Sequence, residues 1–140
     1  MISKKCKYAL KALSYIASNE FGNKKITTGE IAKNEKIPRK FLEIILRDLS
    51  NNKILRSQRG SNGGFTLLKP KKQIKISEII RIIDGPIAML PCVSLNYYSK
   101  CEDCNAKDCK IKMIFEKVRD NTLKILTNES IDSLVRNKSF

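Results

Sequence analysis

Apolar residues recur along this chain at intervals of three and four, which predicts a series of amphipathic helices. Residues 6–19 have the spacing of a helix with one buried face, formed by Ala9, Ala12, Leu13, Ile16 and Ala17. Thr27 and Glu30 match the two ends of a capping box, so a short second helix is expected to start there and to end near Asn34. The sequence therefore predicts two helices in its first 35 residues.

A third helix is expected to begin at Pro38, because the missing N–H of proline is not needed in the first helical position. It should run to about Asn51 and bury one stripe, formed by Phe41, Leu42, Ile45, Leu46 and Leu49. A supporting helix followed by two helices with a tight connection is typical of a helix-turn-helix.

The period changes to that of β-structure after the third helix. Residues 54–59 and 65–68 are predicted strands, and the glycine-rich sequence between them, GSNGG, suits a hairpin turn. A hairpin directly after a helix-turn-helix is a wing. The expected fold is mainly α with a small β-hairpin wing, that is, a winged helix-turn-helix.

The second half of the chain has two further helical patterns. Ile76, Ile79, Ile80 and Ile83 predict a helix that ends at the sequence Asp84-Gly85-Pro86. An irregular loop follows, and then a long helix at about 107–127 with the stripe Ile111, Ile114, Phe115, Val118, Thr122, Ile125 and Leu126. We interpret 1–75 as a DNA-binding domain and 76–140 as a loop with a dimerisation helix; the alternative is that this helix packs on its own chain.

The positive charge is concentrated in the first half. The net charge is +14; residues 1–75 hold 18 Lys or Arg against 5 Asp or Glu, whereas residues 76–140 hold 10 against 9. A well-solvated surface is the simpler explanation, but so uneven a distribution favours a polyanion, and double-stranded DNA is the leading candidate. No membrane partner is expected, because no apolar run approaches the roughly 20 residues of a span. The start does not look like a signal peptide, so the expected location is cytoplasmic.

Several side chains suit contact with DNA. In a helix-turn-helix the start of the second helix meets base edges in the major groove, so Arg39, Lys40, Glu43 and Arg47 are candidates. Glu43 could accept from the amino group of cytosine, or it could pair with Arg39 or Arg47 on its own helix. Arg59 at the wing tip suits a narrow minor groove. The full expected set is Thr28, Arg39, Lys40, Glu43, Arg47, Arg56, Gln58, Arg59, Gly60, Ser61, Asn62, Gly63 and Gly64.

Four of the five cysteines lie in residues 92–109, as Cys92, Cys101, Cys104 and Cys109. Their charged surroundings argue against core filling. Four thiolates suit an iron–sulfur cluster or zinc, and a redox switch without metal is a further alternative. The absence of histidine excludes mixed Cys/His zinc sites and Cys–His or Ser-His-Asp catalysis. A redox enzyme would need a βαβ context around Cys101 and Cys104, so no enzyme is expected.

Taken together, these residues resemble the winged-helix repressor family that includes IscR, NsrR, RirA and CymR. The resemblance covers nearly the whole chain and rests on KYALKAL, TTGEIAKNEKIPRKFLEIILRDLSNNKILRSQRGSNGGF, ISEIIRIIDGPIA, PCV and CKIKMIFEKVRD. It implies a homodimeric transcription regulator that binds a two-fold symmetric operator. Members that retain the cysteines are sensors in which a 2Fe-2S or 4Fe-4S cluster tunes DNA binding; members of the CymR type imply a cluster-free or zinc-stabilised regulator of cysteine metabolism.

The resemblance also assigns positions. Cys92 and Cys109 match the first and last cysteine ligands of the family, and the middle ligand falls at Cys101 or Cys104. Glu43 matches the base-reading glutamate, and Arg59 with Gly60, Gly63 and Gly64 matches the minor-groove wing.

Some positions depart from the family pattern. Lys112 stands where IscR has a histidine ligand, and Tyr8 is near the place of the acidic ligand of NsrR. The cluster is therefore expected to use Cys101 and Cys104 together or, alternatively, Cys6 from the partner subunit. Ser61, Asn62 and Ile44 also differ from the usual residues, so the preferred operator is expected to differ.

Overall fold

The computed structural model describes residues 1–22, 24–105 and 107–137. In this part of the chain the elements are α1 Lys4–Asn19, α2 Thr28–Glu35, α3 Arg39–Asn51, β1 Leu55–Gln58, β2 Gly64–Leu67, α4 Ile76–Ile83, α5 Lys110–Asn128 and α6 Ile131–Arg136. One 3₁₀ turn, Pro91–Val93, lies between α4 and α5. The predicted fold class, mainly helical with a small antiparallel hairpin, is confirmed.

The first two helices begin at side-chain caps. Ser3 Oγ accepts from the backbone N–H of Cys6 at 3.0 Å, and Thr27 Oγ1 accepts from that of Glu30 at 3.1 Å. Such caps satisfy N–H groups that have no partner inside the helix. The second helix ends at Glu35, because the next residue, Lys36, adopts the left-handed conformation with φ 54°. This sharp stop produces the tight turn into α3.

The start of α3 differs by one residue from the prediction. Pro38 has an extended ψ of 126° and is the N-cap, so Arg39 is the first helical residue. The carbonyl of Pro38 accepts from the N–H of Leu42 at 2.9 Å, as an N-cap carbonyl does. Phe41 is also not part of the buried stripe: it is 38% exposed, and its ring packs edge-on against Tyr8 of α1.

One hydrophobic core joins both halves of the described chain. Leu13 and Ile16 of α1 lie in it with Ile31 of α2, and the other fully buried large side chains are Ile26, Leu42, Ile45, Leu46, Leu49, Ile54, Leu55, Ile74 and Ile79. Ile131 of α6 belongs to the same core. Helix α1 is central, since α2, α3, α4 and α6 all contact it.

The hairpin is shorter than its predicted strands and is fastened to the helices. Leu55 pairs with Leu67 and Gln58 with Gly64, so the ladder ends before Arg59. Ile26, just ahead of α2, exchanges two backbone hydrogen bonds with Phe65 of β2, at 3.0 and 2.8 Å. These bonds fix the direction in which the hairpin leaves the domain.

The C-terminal helices depart most from the prediction. Helix α5 begins at Lys110 rather than about 107, and α6 was not predicted at all. Ile131 N–H donates to Ile74 O at 3.0 Å, and Ile76 N–H donates to Glu129 O at 3.1 Å, which fastens the start of α6 beside the start of α4. In the described residues, no helix combines the length and apolar character that crossing a bilayer requires.

Gly64 provides a stability test of the hairpin attachment. Its φ is +146°, and a Cβ there would lie 2.8 Å from the carbonyl oxygen of Ile26. We expect Gly64→Ala to lower the free energy of unfolding by about 1–3 kcal/mol, because both the backbone strain and the clash oppose it. Urea unfolding followed by circular dichroism measures this change.

Gly29→Ala is the matched control. Its Cβ meets nothing closer than 3.9 Å, and its φ is ordinary, so the variant should unfold at the same or a higher urea concentration. Equal unfolding of Gly64→Ala and the native chain would contradict the described attachment.

Candidate nucleic-acid interface and cysteine loop

The outer face of α3 carries the four predicted base-reading side chains. Arg39, Lys40, Glu43 and Arg47 are all exposed. They lie opposite the buried residues Leu42, Ile45, Leu46 and Leu49. Burial of one face therefore directs the charged face into solvent, as recognition of a DNA groove requires.

In the absence of DNA, Glu43 forms an ion pair with Arg39. Arg39 Nε lies 3.3 Å from Glu43 Oε1, one helical turn away. Both side chains are more than half exposed, so such a pair contributes only about 0.3–0.5 kcal/mol. The pairing considered from the sequence is therefore present, and it is weak enough to be exchanged for a partner outside the chain.

The Arg39 side chain extends from the start of α3 toward the start of α2. A Cβ on Gly29 would be 3.9 Å from Nη1 of Arg39. Thr28, the first residue of α2, directly precedes Gly29 and is half-buried. The Arg39 guanidinium therefore approaches the residue that follows Thr28.

The tip of the wing is a tight turn that exposes its polar residues. Gly63 N–H donates to Gly60 O at 2.9 Å, which closes the turn around Ser61 and Asn62. Gly60 has φ +103°, and a Cβ on Gly63 would lie 2.5 Å from the carbonyl oxygen of Gln58. The turn therefore needs glycine at both ends.

The side chains of Arg56, Gln58 and Arg59 are exposed on the same hairpin. Each lies on or directly after β1, which pairs with β2, and the bonds between Ile26 and Phe65 hold β2 beside the helices. The wing thus places the cation at its tip directly after a supported strand.

The cysteine loop begins with a folded segment. Cys92 lies in the 3₁₀ turn Pro91–Val93, where Val93 is buried. Ser94 Oγ accepts from the N–H of Tyr97, and Pro91 O accepts from the N–H of Ser99. This part of the loop is therefore a compact turn with Cys92 half-buried at its centre.

The thiols of Cys101 and Cys109 are neighbours of the Cys104 thiol. These neighbouring thiols raise the pKa of the Cys104 thiol to about 12. All five cysteines are free thiols. The fold therefore brings together three of the four predicted ligands.

Cys109 is the N-cap of α5. Its Sγ accepts from the N–H of Lys112 at 3.4 Å, and this hydrogen bond lowers the pKa of the Cys109 thiol. Thiolates are favoured at helix N-termini for this reason. The cap also explains the late start of α5, since the thiol takes the position that ends the loop.

The four loop cysteines fit an iron–sulfur cluster by the chemistry of their donors, since cysteine thiolates hold such clusters. Two of them, Cys101 and Cys109, are neighbours of Cys104. Across the described ranges, no three Cys, Asp or Glu side chains are grouped so that they could hold a metal ion. The loop therefore supplies suitable donors that are close together but not arranged around one metal.

Arg119 fastens the loop to α5. Its Nη1 donates to the carbonyl oxygen of Val93 at 2.6 Å, and its Nη2 lies 2.8 Å from Oδ1 of Asp120. The Arg119 side chain is only 12% exposed. A largely covered guanidinium thus links the residue after Cys92 to the middle of the long helix.

Cys6 lies apart from the four loop cysteines. It is fully buried in the core on α1. Burial raises the pKa of its thiol to about 11, and Asp84 adds to this effect. A metal ligand must be reached by the metal, so burial of Cys6 in the core disfavours it as a ligand.

The sequence did not predict the residues that connect the loop to α5 and the start of α1 to the end of α4. Arg119 lies on a predicted helix with nothing in its surroundings to mark it, and the contact of Ser3 with Asp84 joins residues 81 positions apart. Ser3 N–H donates to Asp84 Oδ2 at 2.8 Å, and its Oγ donates to Oδ1 of the same carboxylate. The burial of Cys6 was also not predicted. Its position, three residues before Ala9 and seven before Leu13, places it on the buried stripe of α1.

The comparisons with known proteins identify the family of the chain. A family model described as "Rrf2: Iron-dependent Transcriptional regulator" matches residues 2–137. An rrf2-like HTH-type transcriptional regulator of Rhodobacter capsulatus is 39% identical over 138 residues, which are 96% of this chain and 92% of that protein. The sequence likeness thus extends through both the helix-turn-helix and the cysteine loop.

Two solved structures have a similar fold. CymR, the global cysteine regulator of B. subtilis, superposes with a TM-score of 0.81 at 23% identity, covering 99% of this chain and 98% of that one. IscR of T. potens has a TM-score of 0.75 at 22% identity, covering 99% and 88%. At this identity the likeness establishes the fold alone.

Proposed function

This chain belongs to the Rrf2 family of transcriptional regulators, and from that membership we propose that it is a homodimer whose binding to a two-fold symmetric operator is controlled by an iron–sulfur cluster in its cysteine loop. The resemblance to IscR-type and CymR-type winged-helix regulators is confirmed. Since the family and its named relatives are transcriptional regulators, the chain is a regulator and not an enzyme. The observation that carries the proposal is the cysteine loop, which brings three free thiols together.

The DNA contacts are assigned to the start of α3 and to the wing. Arg39, Lys40, Glu43 and Arg47 would enter the major groove, with Thr28 at the adjoining backbone. In the wing Arg59 would enter the minor groove, and the neighbouring contacts would come from Arg56, Gln58, Gly60, Ser61, Asn62, Gly63 and Gly64. The exposure of the charged side chains and the tight glycine turn support this assignment.

The dimer contact is assigned to α5. No residue of this 19-residue helix is buried, and Ile111, Met113, Ile114 and Ile125 are 58–63% exposed. An apolar cavity of about 310 Å³ continues along the helix, between Met89, Val118 and Leu126. So much exposed apolar surface on one helix supports pairing with the same helix of a second copy.

The cluster ligands are assigned to Cys92, Cys101, Cys104 and Cys109. The cluster would supply a redox-active group that can be gained or lost and that changes the charge of the loop. The chain's own contribution is to supply four thiolates and to hold the loop on α5 through Arg119. The complete burial of Cys6 supports the all-cysteine loop over a ligand from the partner subunit.

A cluster-free or zinc-stabilised regulator of cysteine metabolism, of the CymR type, is the second candidate. Its support is the likeness of the fold to the B. subtilis cysteine regulator. The two candidates share the DNA contacts and differ in the metal content of the protein. Metal analysis therefore separates them.

Arg59→Ala tests the DNA-binding half of the proposal. We expect affinity for the operator to fall about 10- to 100-fold, because the cation at the wing tip is lost from the minor groove. The operator is first selected by the native protein from random duplexes, and affinity is then measured by fluorescence anisotropy.

Lys72→Ala removes an exposed lysine from the turn between β2 and α4 and controls for the loss of one charge. It should bind as the native protein does. Unchanged affinity of Arg59→Ala would overturn the assignment of the wing.

Anaerobic purification tests the cluster half. We expect iron, acid-labile sulfide and visible absorption in the native protein, and loss of most of the iron in Cys92→Ala, Cys101→Ala, Cys104→Ala and Cys109→Ala. Cys6→Ala is the control and should retain its iron, because Cys6 is buried away from the loop. Colourless protein without iron would contradict the cluster, and zinc in the same samples would favour the second candidate.

A further inference from the structure

A basic groove lies between α1 and the end of α2. It has a volume of about 580 Å³, and Lys4, Lys7, Lys11 and Lys36 line it. The predicted DNA-contact residues lie elsewhere, on the outer face of α3, at the start of α2 and on the wing. The groove is therefore a second concentration of positive charge that those assignments do not use.

Three of the four lysines are available to a ligand. Lys11 Nζ donates to the backbone carbonyl of Glu35 at 3.0 Å and lies 3.6 Å from its carboxylate, so it is already paired. Lys4, Lys7 and Lys36 are exposed, and no carboxylate in the described segments forms an ion pair with them. The groove thus has an unneutralised charge of about three lysines, which favours an anionic partner.

The groove adjoins the start of α3, which carries the side chains assigned to contacts with DNA bases. The Tyr8 ring, which also lines the groove, packs edge-on against Phe41 of α3 with 5.8 Å between ring centroids. Lys4 Nζ lies 5.7 Å from the centre of the Tyr8 ring. Lys36 belongs to the turn two residues before Pro38, the N-cap of α3.

The groove and the wing lie at opposite ends of α2. Ile26, just before α2, is bonded to the wing through Phe65, whereas Lys36 directly follows the last residue of α2. A helix of this length spans about 12 Å. The major groove of DNA is also about 12 Å wide and has a phosphate backbone along each side.

From this placement we infer that the lysine groove binds backbone phosphates on the side of the major groove that lies away from the wing. The inference rests on the proposed DNA-binding function and extends it by a separate phosphate-contact surface. DNA is favoured over an acidic protein segment because the groove adjoins α3 directly. Phosphate contacts position a protein without reading sequence, so the groove adds affinity and not base preference.

The test combines Lys4→Gln, Lys7→Gln and Lys36→Asn in the full-length protein. Asparagine suits position 36, because it tolerates the left-handed backbone that Lys36 adopts. The control combines Lys53→Asn and Lys72→Gln, two exposed lysines on other segments, and Lys53 adopts the same left-handed backbone as Lys36. Affinity for the selected operator is measured over a range of salt concentrations.

Each lost phosphate contact reduces the slope of log affinity against log salt by about 0.9. For a dimer that loses one to three phosphate contacts per subunit, the magnitude of this slope should therefore fall by about 2 to 5. The preference among operator variants should not change. The control should keep the native slope. If the groove variant keeps the salt dependence of the native protein, the inference is overturned. This holds even if the groove binds an acidic protein segment instead of DNA.

Operator duplexes with single neutral methylphosphonates give a second measurement that uses the native protein. Substitution on the backbone away from the wing should weaken binding of the native protein and leave binding of the groove variant unchanged. Equal weakening of both proteins would contradict the assignment. Arg59→Ala separates the proposed DNA contacts from the phosphate-binding groove. If Arg59→Ala loses affinity and the groove variant binds as the native protein does, only the inference about the groove fails. If neither variant loses affinity, the proposed DNA contacts fail as well.

Discussion

Burial of one face of α3 is the constraint on which the rest of this structure depends. Leu42, Ile45, Leu46 and Leu49 are fully buried, and burying each such side chain stabilises the fold by about 1.5–3 kcal/mol. Rotation of the helix about its axis would expose these residues and bury Arg39 or Arg47, so the rotation is fixed. The hydrophobic contact that holds the domain together therefore also directs the charged residues outward.

Helix α1 connects that face to the cysteine loop. At its start Ser3 is bonded to Asp84, the residue that ends α4, and one turn later Tyr8 packs on Phe41 of α3. Helix α5 contacts α4 and holds the loop through Arg119 and the carbonyl of Val93. Under the proposed function, these contacts are the physical route by which a change in the loop can reach the helix that reads DNA.

The sequence predicts best where burial is one-sided and the element is long. The stripes of α1, α3 and α4 and the GSNGG turn each have a strong local pattern, and each element lies within a few residues of its expected place. The short α6 has too few residues for a period, and it folds because Ile131 enters a core built mostly by the first half. The thiol cap of Cys109 and the Arg119 bond depend on distant partners, so no local pattern marks them. Whether all four thiols bind one cluster depends on the cluster itself, which the amino-acid sequence does not encode. The set of four cysteine ligands therefore stays a prediction.

The central claim is that the cysteine loop controls DNA binding. The most direct measurement compares operator affinity of the iron-loaded protein with that of the same sample after a chelator has removed the iron, both under anaerobic conditions. The account predicts a change of at least tenfold in the native protein and in Cys6→Ala, and no change in Cys104→Ala. Equal affinity of the loaded and the iron-free native protein would contradict it.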